Sequence, residues 1–240
     1  MPVDILLTVF ATSVIQSIFG VGVLLFGTPL LLLLGYGFVD ALGVLLPVSI
    51  AISALQALRH YDDIDTGFYK KLLIYCIPFV VLFLVLVTTV KINISLIIGA
   101  VLIFVALRNF SAAIENALQL VVKYEKAYLM AIGLVHGLSN LGGSLLTVIV
   151  YSKKYPKDKM RVTTAVSYGT FALFQLATLF FVGSEFGVPF ADRVSLVQIA
   201  VAVFLLTEEL IYNDIDNEKY NKIFAVFLFT SGILLIAKAL

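Results

Sequence analysis

The stretch that most limits what this chain can fold into is 16–35, QSIFGVGVLLFGTPLLLLLG. It lies inside a long apolar run, yet Gly20, Gly22, Gly27 and Pro29 fall where an uninterrupted membrane helix would be expected. Proline removes a backbone donor and clashes with the preceding turn, while glycine opens conformations that other residues avoid. In hydrocarbon every freed backbone group must be re-satisfied, so non-helical backbone survives only where protein or a water-filled cavity surrounds it. The stretch therefore reads as a broken helix lining a site. A kinked spanning helix packed through its small residues is the alternative the same residues allow.

Composition supplies the class. Of 240 residues 61% are hydrophobic and 13% charged, with a mean hydropathy of +1.08, against about 45–50% apolar and about 25% charged in soluble domains. The chain is thus expected to be an all-α polytopic membrane protein. A net charge of +1 implies no nucleic-acid partner. The start, MPVDILLTVFATSV, has neither a basic n-region nor a small-residue cleavage pattern, so no removable signal peptide is expected. Cys76 is the sole cysteine, which excludes an internal disulfide, a CxxC redox pair and a cysteine metal cluster. No cofactor and no metal site is expected.

The order of elements repeats. The broken segment 3–35 is followed by apolar stretches at 41–58, 72–90 and 92–107, each near the ~20 residues a crossing helix needs. A more polar segment, 109–126, reads as an interfacial connector. A second broken segment, 127–151, then precedes spans at 162–182, 194–212 and 221–239. Residues 1–108 and 127–240 are accordingly expected to be two repeats. VSIAISAL at 48–55 matches VSYGTFAL at 166–173 in Val, Ser, Ala and Leu at an offset of 118. The broken segments align at 121, pairing Gly22 with Gly143 and Ile15 with His136.

Basic residues set the topology. If both broken segments cross fully, the 16 lysines and arginines divide evenly between the two sides. If both are re-entrant, Lys91, Arg193 and Lys238 lie on one side. The other thirteen, including the basic loop Lys153 to Arg161, share the second side, which is then cytoplasmic. Three spans per half is an odd number, so the second half would be inverted, with each broken helix forming a re-entrant hairpin beside three transmembrane helices. Inverted repeats whose broken helices meet near the midplane are an architecture of secondary transporters. A fully crossing 127–151 would also be long enough.

The runs SIFGVGVLLFGTPLLLLLGY, GLVHGLSNLGGSLL and VTTAVSYGT resemble the sulfite exporter (TauE/SafE) family of bacterial and archaeal membrane transporters, over the whole chain. The resemblance implies export, or in some members uptake, of small sulfur-containing or organic anions such as sulfite, sulfonates and sulfoacetate across the plasma (cell inner) membrane. The chain is short for that group.

An oxyanion at mid-membrane needs donors that cost little to desolvate, and free N–H groups at helix N-termini supply them. The candidates are the glycines Gly20, Gly22, Gly142 and Gly143, where backbone can approach a ligand closely, with Gln16, Ser17, Thr28, Ser139, Asn140, Ser144 and Thr147 at the same depth. The following spans add Ser49, Ser53 and Gln56 in one half and Ser167, Thr170 and Gln175 in the other. For each Ser or Thr the competing role is a bond to its own helix carbonyl at i−4; for the glutamines it is an inter-helix bond. His136 lies inside an apolar segment and is the proton-coupling candidate, with packing against a carbonyl as its alternative. Asp40, Arg59, Arg108, Glu185, Asp192, Arg193, Glu208 and Glu209 fall near predicted span ends, which argues against a buried carboxylate relay.

The expected function is a secondary transporter of a small anion, coupled to protons, with the lipid bilayer as its environment and a size that permits a homodimer. A passive channel for anions or small solutes is a second class. A membrane enzyme or biogenesis factor is weakened by the missing cysteine pair and metal cluster, so no enzymatic activity is expected.

Overall fold

The computed structural model describes residues 1–90, 123–214, 216, 218 and 219, and among these every regular element is helical. The predicted span 92–107, nearly all of the 109–126 connector and the last span, 221–239, lie outside the described residues. The first half contains α1 (Val3–Phe19), α2 (Val23–Leu33), α3 (Phe38–Arg59), a 3-10 turn (Tyr61–Asp63), α4 (Thr66–Tyr75) and α5 (Ile77–Thr89). The second contains α6 (Glu125–Ser139), α7 (Gly143–Ser152), α8 (Lys157–Phe181), α9 (Phe190–Thr207) and a π-helical turn (Glu208–Tyr212).

Among the described residues four helices are long and apolar enough to cross a membrane: Phe38–Arg59, Thr66–Thr89, Lys157–Phe181 and Phe190–Tyr212. The second of these starts six residues before the expected 72, because Asp65 caps it by accepting the Phe68 N–H at 2.9 Å. It runs through Cys76, beyond which Pro78 has no N–H to give. Leu82, Leu173, Phe180, Phe181 and Leu206 are exposed on these helices, as a lipid-facing surface requires.

Each broken segment is a pair of short helices whose outer ends meet. The Tyr36 hydroxyl, just past α2, donates to the Asp4 carboxylate at the start of α1, 3.0 Å from either oxygen. Lys153, just past α7, donates to Glu125 at the start of α6 at 2.9 Å. The first break is narrower than expected: it is confined to Gly20–Gly22, while Gly27 and Pro29 lie within α2.

The packing of the elements is reciprocal. α3 and α8 form the most extensive contact, and the first helix of each half packs on the other half: α1 on α9, while keeping its contacts with α2 and α3, and α6 on α5. Likewise α9 also packs on α3, and α5 on α8. Gly133 and Gly137, four apart on one face of α6, let it approach α5 so closely that added Cβ atoms would lie 2.3 Å from the Cys76 carbonyl oxygen and 2.7 Å from that of Val80.

Candidate functional site

α1 stops where Gly20 turns left-handed (φ 73°), its N–H returning to the Gln16 carbonyl at 2.8 Å. Glycine is needed there twice over: for that φ, and because a Cβ would lie 2.4 Å from the Arg161 carbonyl oxygen of α8. The side chains around the break satisfy what it exposes. Gln16 Nε2 donates to the Ser49 carbonyl (3.0 Å) and lies within bonding distance of the Ser49 and Ser53 hydroxyls (3.1 and 3.2 Å). Gln16 Oε1 accepts the Val23 N–H, the first of α2, at 3.1 Å. Gln56 Nε2 donates to the carbonyls of Gln16 and Ser17, near the end of α1, at 3.0 and 2.9 Å. Both glutamines, with Ser49 and Ser53, are buried.

The second break has the same construction. Asn140 is left-handed (φ 62°) and its N–H returns to the His136 carbonyl at 2.8 Å. The two caps place Gly20 opposite Asn140, Gly22 opposite Gly142 and Gln16 opposite His136, an offset of 120. That corrects the expected 121, which matched identical leucines and put Ile15 opposite the histidine. His136, fully buried, sits 3.1 Å from the Gln175 side-chain amide through Nε2, and its Nδ1 has no partner. Its ring lies 4.6 Å from that of Phe171. Asn140 Nδ2 donates to Thr28 Oγ1 at 2.7 Å and so ties the second break to α2.

The other hydroxyls divide. Ser17, Ser139, Ser167 and Thr170 donate to their own helix carbonyls four residues back at 2.7 Å. Ser144 and Thr147 bond three back, to Leu141 and Ser144. Thr170 also meets Tyr69 of α4 at 3.0 Å. The helix N-termini divide as well. At α7 the amides of Ser144, Leu145 and Leu146 bond back to the carbonyls of Leu141 and Gly142. At α2 the Leu24 and Leu25 amides have no carbonyl four residues back within the helix.

Those two amides face Tyr168, a residue the sequence reading passed over. The Tyr168 hydroxyl is fully buried beside the Leu24 and Leu25 N–H groups and makes no bond within geometric limits. An added Cβ at Gly143 would stand 2.6 Å from the Tyr168 ring and 2.8 Å from Val21, so ring and both breaks crowd one point. The signal was an aromatic with a polar tip beside Ser167 in the span that pairs with α3.

The charged residues need correction too. Arg161 is not in the loop: α8 starts at Lys157, after Pro156, and carries Arg161 inside, at 0% exposure. It forms a two-pronged pair with Glu208, at 2.6 and 3.0 Å, and Glu208 is 2% exposed rather than interfacial. Arg161 Nη1 also donates to the Ser17 carbonyl at 3.2 Å, next to the first break.

No curated protein and no solved structure matches the chain. A family model described as Sulfite exporter TauE/SafE matches residues 5–235, both breaks and all four membrane-competent helices included, and the chain therefore belongs to the sulfite exporter TauE/SafE family of membrane transporters.

Proposed function

We propose that the protein is a secondary transporter that exports a small anion of the sulfite, sulfonate or sulfoacetate class across the plasma membrane, by proton-coupled alternating access between two inverted repeats, 1–108 and 127–240. The observation that carries this is the first turn of α2, where the Leu24 and Leu25 amides, which have no carbonyl four residues back within the helix, face the buried Tyr168 hydroxyl. Two N–H groups, the positive end of a helix dipole and a neutral hydroxyl suit an oxyanion without the desolvation cost of a resident cation. Gly20, Gly22, Gly142 and Gly143 keep the backbone close at this point, and Gln16, Gln56, Ser49, Ser53, Thr28 and Asn140 hold the breaks open around it. The reciprocal packing of α1 on α9 and α6 on α5 supports the inverted halves, and the meeting ends of each hairpin support re-entrance. His136 is the coupling candidate within this centre, since its Nδ1 has no partner. The loop at Lys153 and Lys154 faces the cytoplasm.

Flux of labelled sulfite in proteoliposomes, with and without an imposed pH gradient, tests the reading. Wild-type protein accumulates anion against its gradient, and a protonophore abolishes the accumulation. Tyr168→Phe raises KM about tenfold, the loss expected for one hydrogen bond to a charged ligand, while its unfolding temperature stays near wild type. His136→Gln retains downhill flux and loses accumulation. Wild-type flux that only ever runs downhill would replace the transporter by a passive channel, and absence of flux for sulfite and sulfonates alike would end the proposal.

A further inference from the structure

The buried pair Arg161–Glu208 lies beside the first break, and its chemistry is that of an anion site already filled. A guanidinium presents a planar fork that takes a carboxylate, a sulfonate or a sulfite through two parallel N–H···O bonds. Here Glu208 occupies the fork at 2.6 and 3.0 Å. The fork adjoins the first break: Arg161 Nη1 bonds the Ser17 carbonyl, and the Arg161 carbonyl lies against Gly20. The carboxylate leaves the site incomplete, because Arg161 Nε is buried with no partner.

Charge points the same way. Arg59 Nη1 stands 3.7 Å and His60 Nε2 3.6 Å from the same Glu208 oxygen, so two guanidiniums and an imidazole share one buried carboxylate. Tyr212 lies against the Arg161 guanidinium at 3.4 Å and donates to Asp158 at 2.8 Å, with the Lys157 ammonium 4.7 Å from the same ring. Asp158 and Asp63 face His60 at 4.0 and 3.9 Å, on the side away from Glu208. Glu208 itself begins a π-helical turn, Glu208–Tyr212, a form whose weaker backbone bonding recurs at functional sites.

We propose that Arg161 is a second anion station, at the cytoplasmic end of the pathway, and that Glu208 is its resident occupant, displaced when the transported anion binds and protonated as it leaves. This rests on the transport reading above. The anion takes the two N–H bonds that Glu208 gives up, and Glu208 takes one proton from water, so the buried charge is the same before and after. Anion and proton therefore bind together, and each strengthens the other by the same factor.

The test is equilibrium binding to the purified full-length protein. The probe is methanesulfonate, whose single charge does not change with pH between about 5 and 8. Wild-type affinity rises about tenfold or more between pH 7.5 and 5.5, the limit for one linked proton being about tenfold per pH unit. Glu208→Gln binds more tightly than wild type at pH 7.5 and varies less than about twofold over the range. His60→Gln keeps the wild-type slope, and Arg161→Lys, with no fork, weakens binding at every pH. Should Glu208→Gln not fold, wild-type protein in weak buffer at pH 6.5 serves: saturating methanesulfonate draws about one proton per site from solution. A Glu208→Gln slope equal to wild type, a slope abolished by His60→Gln alone, or anion binding without proton uptake would each overturn the exchange while leaving transport standing. Wild-type protein that binds neither methanesulfonate nor sulfite at any pH would overturn both.

Discussion

At the scale of single residues, Gln16 is the most heavily used side chain among the described residues. One fully buried amide caps α2 through its oxygen and binds α3 through its nitrogen. Removing it strands a buried N–H and leaves two serine hydroxyls to their own helix. Each orphaned group of this kind costs about 1–3 kcal/mol, so Gln16→Leu is expected to lower the unfolding temperature in detergent by several degrees. Ser17→Ala, one residue on, removes a hydroxyl that bonds only the Ser13 carbonyl, and is expected to leave it nearly unchanged. Equal effects in a thermal-unfolding assay would show that Gln16 is not what holds the break. The contrast also marks what the sequence could tell. A glutamine in hydrocarbon announces a partner, and both Gln16 and Gln56 found theirs in exposed backbone. A serine announces nothing, because bonding its own helix is always open to it. Arg161 was misjudged for a different reason: the basic run SKKYPKDKMR reads as one loop, whereas Pro156 starts a helix that carries its last residue inward.

At the scale of elements, the ends of helices are tied by polar residues across the halves. Asp65 caps α4 through the Phe68 N–H and accepts from the Tyr155 hydroxyl, while its own N–H donates to Thr163 of α8. Burial pushes its carboxyl up, but the bonds from Tyr155 and Phe68 and the charges of Lys153 and Lys159 outweigh it and hold the pKa below the usual carboxylate value. A folded-state pKa below the unfolded one means stability that is fully present above the unfolded value, about 3.9, and lost as pH falls through the folded one. Asp65→Asn keeps the cap and removes the charge. It is therefore expected to lower the unfolding temperature by a similar amount from pH 5 to 7, with the difference from wild type shrinking toward zero below about pH 4. A difference that stays constant into acid would assign the effect to altered hydrogen bonding with Tyr155 rather than to the charge. Element boundaries were legible where a glycine breaker stood in the sequence, as at Gly20. They were misplaced by several residues at the start of α4 and of α8, where charged residues sit inside the helix and hydropathy places the edge too late.

At the scale of the molecule, the halves are joined by crossed packing: the first helix of each packs on the other, α1 on α9 and α6 on α5, and the second break touches α2 through Asn140 and Thr28. The two broken helix pairs were legible from the glycines. The crossed packing was not, because nothing in a hydrophobic helix records which neighbour it packs on. Crossed packing together with closed hairpins makes a definite statement about sides. Val3 and Leu34 stand at the two outer ends of the first hairpin, and Tyr124 and Tyr151 at those of the second, all four exposed. The sole native cysteine, Cys76, is buried, so a Cys76→Ser background carries single cysteines cleanly. In intact cells an impermeant maleimide is expected to label Val3→Cys and Leu34→Cys alike, and Tyr124→Cys and Tyr151→Cys only after permeabilisation. Two ends of one hairpin labelled from opposite sides would make that segment a crossing helix. The thirteen basic residues assigned to the cytoplasm would then lose their common side, and with it the inversion on which alternating access between the halves depends.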